Sequence, residues 1–83
     1  MEFKVDWSVF YGSSHCEEGL AEFAIGKIKT YKEMEAYFLP HMKEQAAVVR
    51  KMKRSKTKIA DMRKKAARAY KRYCGITPLQ SYN

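Results

Sequence analysis

The sequence predicts a mainly α protein with one N-terminal β-strand (α+β), ordered strand, helix, helix and then one long basic helix. Three observations lead there. Apolar and polar residues alternate over the first nine positions, two capping signals each precede apolar residues at helical spacing, and neither Gly nor Pro occurs between Pro40 and Gly75.

The strand rests on Phe3, Val5, Trp7 and Val9 alternating with Glu2, Lys4, Asp6 and Ser8, the period-two pattern of a sheet with one buried face. Phe10 and Tyr11 break the alternation, and Gly12-Ser13-Ser14 stops it. Ser14 and Glu17 then stand at capping-box spacing and start a helix expected over about residues 14–29. Its apolar stripe is Leu20, Phe23, Ala24, Ile25 and Ile28, with Gly19 and Gly26 as weak points. Thr30 and Glu33 repeat the spacing, which starts a second helix at Tyr31. Pro40 either kinks that helix or occupies the first turn of the next.

From about residue 41 to 74 the chain is expected to be predominantly helical, and one continuous helix of that length would span about 50 Å. Lys71 and Arg72 suit its last turn, Gly75 suits a left-handed cap, and Pro78 lies beyond. Ser55-Lys56-Thr57 is the one candidate interruption. Val48, Met52, Ser55, Ile59, Met62, Ala66, Ala69 and Tyr73 follow at alternating steps of four and three, a coiled-coil seam. Traced backwards, the register passes Gln45, His41, Phe38, Met34 and Tyr31. Such a seam packs on its own domain or on a second copy.

Length and charge bound the function. A chain of 83 residues fits a single domain with a modest core, so homodimerisation through the lone strand or the seam is expected. No apolar run approaches the roughly 20 residues of a membrane span and no secretion-signal layout is present, so a cytoplasmic protein with reduced Cys16 and Cys74 is the expectation. Residues 1–45 are mildly acidic, with five lysines against eight carboxylates; residues 46–83 carry twelve Lys or Arg against Asp61 alone, a balance of +11. Charge this dense repels itself unless it is solvated or meets a polyanion.

Two local resemblances accompany this reading. The order strand, helix, helix over about residues 2–45 resembles the ribbon-helix-helix DNA-binding proteins, which dimerise through the strand. The chain departs from them where Glu2 and Asp6 would face the groove, since phosphate and most base edges disfavour carboxylates. Residues 69–82, running Ala-Tyr-Lys-Arg-Tyr-Cys-Gly-Ile-Thr-Pro-Leu-Gln-Ser-Tyr, are similar to the closing segment of the arabinose-regulator (AraC) family. The turn of the preceding helix-turn-helix is missing, and a common helix stop accounts for the same residues, so no function is carried over.

Catalytic and metal signatures are absent from the sequence: there is no phosphate loop, nucleophile elbow or metalloprotease helix. His15, His41, Cys16 and Cys74 match no zinc spacing, and Cys16 beside His15 lacks an orienting third group. A non-enzymatic binding protein without cofactor or metal is therefore expected. Its leading function is binding of DNA or RNA backbone through Arg50, Lys51, Lys53, Arg54, Lys56, Lys58, Arg63, Lys64, Lys65, Arg68, Lys71 and Arg72, with Tyr70 and Tyr73 available for stacking. The alternative is an inhibitor or adaptor that docks the basic helix on an acidic or nucleic-acid-handling protein. Compact basic proteins of mobile elements, anti-CRISPR proteins among them, are similar in size and charge.

Overall fold

A computed structural model describes residues 4–40 and 42–75, and over these the chain is all-helical. A short 3-10 turn, Trp7–Phe10, precedes α1 (Ser14–Ala24), α2 (Tyr31–Phe38), α3 (Lys43–Arg54) and α4 (Ile59–Cys74). The strand and the α+β class are thus overturned, because no ladder forms among the described residues. The alternation nevertheless describes burial: Val5, Trp7 and Val9 are half-buried while Lys4, Asp6 and Ser8 are exposed. What replaces the ladder is local. The Asp6 carboxylate accepts from the Ser8 amide and hydroxyl, capping the turn, and the Gln45 side-chain amide donates to the Val9 carbonyl at 2.7 Å. Phe10 then drops fully into the core.

Helix α1 starts one residue earlier than its capping-box spacing suggests. Ser13 is the cap, accepting from the Cys16 amide at 3.2 Å, and Glu17 reaches back to the Gly12 amide. It also ends sooner than residue 29. Gly26 has φ +87°, and the Gly26 and Lys27 amides bond the Phe23 and Glu22 carbonyls, a Schellman stop. Helix α2 begins at Tyr31 as expected. Thr30 Oγ1 accepts from the Glu33 amide at 3.0 Å, and the Glu33 carboxylate accepts from the Lys29 amide at 3.2 Å.

The long basic helix is two helices. A continuous one would be about 50 Å long, whereas the longest principal axis measures 33 Å. The break falls at Ser55–Lys58, where the Ser55 hydroxyl donates to the Met52 carbonyl at 2.6 Å and Lys56 takes φ +61°. Tyr31 Oη donates to the Thr57 carbonyl at 3.1 Å, pinning this turn to the start of α2; burial pushes the Tyr31 hydroxyl above its ordinary range, and Arg63 pulls the other way. Reversal at the turn lets α3 pack on α2 and α4 pack on α1. Gly75, at φ +77°, takes the left-handed cap predicted for it.

The seam is spent inside the molecule. Met34, Phe38, Met52, Met62 and Ala66 lie in one core with Phe10, Leu20, Phe23 and Val49. In α3 the inward row is Ala46, Val49 and Met52, shifted from the Gln45–Val48–Met52 register. With no strand and an occupied seam, neither surface expected to carry a homodimer is free among the described residues. His41 and the tail from Ile76 to Tyr82 lie outside the described residues.

Gly19 is a packing requirement rather than a weak point. A Cβ there would stand 2.5 Å from Tyr37 Cε1 and 2.6 Å from Phe38 Cζ, because α2 lays its aromatic rings directly on α1. Tyr37 also stacks on His15, with centroids 4.3 Å apart. Gly19→Ala is therefore expected to destabilise by about 1–3 kcal/mol through overpacking, although helix propensity alone favours Ala by roughly 1 kcal/mol. Urea unfolding followed by circular dichroism reads the sign.

Candidate nucleic-acid interface

The residues predicted to bind a polyanion divide into three groups. Lys64, Lys65, Arg68, Lys71 and Arg72 are exposed on the outer face of α4. At 100° per residue Lys64 and Lys71 lie opposite Met62, Ala66 and Ala69, which face the core, and Arg68, Arg72 and Lys65 carry the charge round one side towards Ala69. Lys51, Lys53 and Arg54 are exposed on the last turn of α3, where cations suit the carbonyl end of the helix, and Lys56 and Lys58 are exposed on the turn that follows.

Three predicted residues do other work. Arg63 is half-buried and points inward: its Nε donates to the Phe23 carbonyl at 3.2 Å, and one terminal nitrogen donates to the Ile28 and Lys29 carbonyls at 3.2 and 2.7 Å. Its guanidinium also lies 5.5 Å from the Phe23 ring centre. Arg63 therefore closes the carbonyl end of α1 and the loop into α2. Arg50 donates to the Glu35 carboxylate of α2 at 2.6 Å. Tyr70 is half-buried against the core, so its ring is part of the packing.

Two half-open grooves run along α4. One, of about 320 Å³, is lined by Trp7, Lys65, Arg68, Ala69, Arg72 and Tyr73. The other, of about 310 Å³, is lined by Thr57, Asp61, Lys64, Lys65 and Arg68. Lys65 and Arg68 form the ridge between them, and Thr57 links the second groove to the cations of the turn. Trp7 is the residue that sequence reasoning missed, because alternation assigns it to the buried face of a strand. Only the tertiary fold brings it to α4, and no spacing in the chain signals that meeting. Tyr73 is held in the first groove by Tyr11, whose ring lies 5.6 Å away at 32°.

The thiols are structural in their surroundings. Cys16 is buried and its Sγ contacts the Met42 sulfur. Cys74 Sγ donates to Glu17 Oε1 at 3.3 Å, joining the end of α4 to the start of α1. Burial and the Glu17 carboxylate push the Cys74 thiol up to about 11. A folded-state value above the unfolded one stabilises the protein fully below the ordinary thiol range, and this contribution is lost as pH rises through about 11. Stability is accordingly expected to fall between roughly pH 9 and 11, and Cys74→Ser should flatten that fall in pH-dependent thermal melts. Among the described residues no three His, Cys, Asp or Glu converge on a metal position.

No helix of the described residues is long and apolar enough to cross a membrane. No family model, curated protein or solved structure matches this chain.

Proposed function

We propose that this protein binds nucleic acid through the outer face of α4, in the cytoplasm and without catalysis. Lys64, Lys65, Arg68, Lys71 and Arg72 contact phosphates, and the cations of the α3 end and the turn extend the field that draws the polyanion in. The observation that carries this reading is the segregation itself. Five cations of α4 are exposed on one sector, with Asp61 the one carboxylate of that helix beside them. Backbone contacts carry no sequence information, so the binding is tolerant of sequence.

Capture of partners on immobilised protein from nuclease-treated and untreated lysate tests it. Nucleic acid recovered from untreated lysate, with any co-retained proteins lost after nuclease treatment, is the expected result. A discrete acidic protein retained after nuclease, with no binding of purified DNA or RNA at physiological salt, would replace this reading with the inhibitor.

A further inference from the structure

We infer that the groove lined by Trp7 and Tyr73 takes one unpaired nucleotide of a single strand, the base against the aromatic rings and the phosphates on Lys65, Arg68 and Arg72. This deepens the nucleic-acid reading above and rests on it. Lys65, Arg68 and Arg72, at i, i+3 and i+7, line one flank of α4. Ala69 between them is small and 6% exposed, which leaves a floor rather than a filled ridge. The far wall is Trp7, half-buried on the 3-10 turn with its ring 6.1 Å from Phe10. The end wall is Tyr73, braced by Tyr11. At about 320 Å³ the space falls at the lower end of ligand sites, which run from roughly 300 to 1,000 Å³.

The composition of the two grooves separates them. The second contains Asp61, whose carboxylate repels phosphate, and no aromatic residue. The first contains three cations, two aromatic rings and no acid. An aromatic surface beside a cationic track is the arrangement that recognises a base together with its backbone, and it tolerates any base because every base has a π-face. A duplex keeps its base faces stacked inside and presents only phosphates here.

Trp7 is the single tryptophan of the chain, so its emission reports on the groove alone. The test titrates full-length protein with a fluorescein-labelled thymidine homopolymer and, separately, with a blunt duplex of equal length. Label anisotropy reads binding and tryptophan emission reads stacking. The expected result is that the single strand quenches Trp7 and the duplex binds without quenching. Trp7→Leu should weaken single-strand binding roughly tenfold, within the range of one lost stack, and leave duplex binding unchanged. Arg72→Gln, at an exposed position, should weaken the single strand even if the Trp7 variant does not fold. Single-strand binding with unchanged Trp7 emission, or equal quenching by both forms, would overturn the groove inference and leave the backbone reading standing. Binding of neither form would defeat both.

Discussion

Replacing Lys64, Lys65, Arg68 and Arg72 together with Ala is expected to weaken nucleic-acid binding on the order of a hundredfold at moderate salt, since four phosphate contacts and their counterion release are lost. The loss should be similar for every sequence tested, because these contacts read backbone and not base edges. Folding should survive. All four side chains are exposed on α4, and Ala is the best helix former, so the helix gains propensity while it loses charge. Circular dichroism and thermal melting confirm the intact fold, and gel-shift or anisotropy titrations read the affinity.

Arg63→Ala is expected to behave in the opposite way, costing stability and sparing the charge-dependent part of binding. Three carbonyls lose a charged donor, that of Phe23 at the end of α1 and those of Ile28 and Lys29 in the loop beside it. Charge-assisted hydrogen bonds contribute about 1.5–3 kcal/mol each, and partial rehydration offsets part of the loss. The expected cost is therefore about 2–4 kcal/mol, a large share of the roughly 5–15 kcal/mol that holds a small domain folded. Denaturant midpoints measure it. If Arg63→Ala instead left the midpoint unchanged and reduced binding as much as Arg68→Ala, the residue would belong to the interface and not to the fold.

What could be read from the sequence was whatever is decided by neighbours in the chain. The Thr30 cap, the Gly75 stop and the interruption near Ser55 are local backbone chemistry, and each stands where its residues indicate. Periodicity likewise found Met52, Met62, Ala66 and Ala69 as inward positions. The failures share one cause. Alternation at Val5, Trp7 and Val9 reports which side chains meet the core, but whether such a segment becomes a strand depends on a ladder partner that its own residues cannot supply. Gly19 looks like a poor helix residue until α2 is laid on top of it. Arg63 looks like its basic neighbours, and only the carbonyls that the end of α1 and the following loop bring beside it turn it inward.

The same distinction governs the site. Segregated charge was legible by counting, and the outer face of α4 carries it. The aromatic wall was not, because Trp7 and Tyr11 reach α4 only through the packing of the first helical turn and the core beneath it. Tyr70, singled out for stacking, packs inward instead, while Tyr73 remains at the groove.

The central claim is that the α4 face neutralises nucleic-acid phosphates, and the salt dependence of binding by the unaltered protein tests it most directly. Affinity for a single-stranded oligonucleotide, measured from low to physiological salt and plotted log against log, should fall on a line with a slope of about −0.7 per phosphate contact. Contacts from all five α4 cations give a slope near −3.5 by that rule. A slope close to zero, or no measurable binding at low salt, would contradict the account.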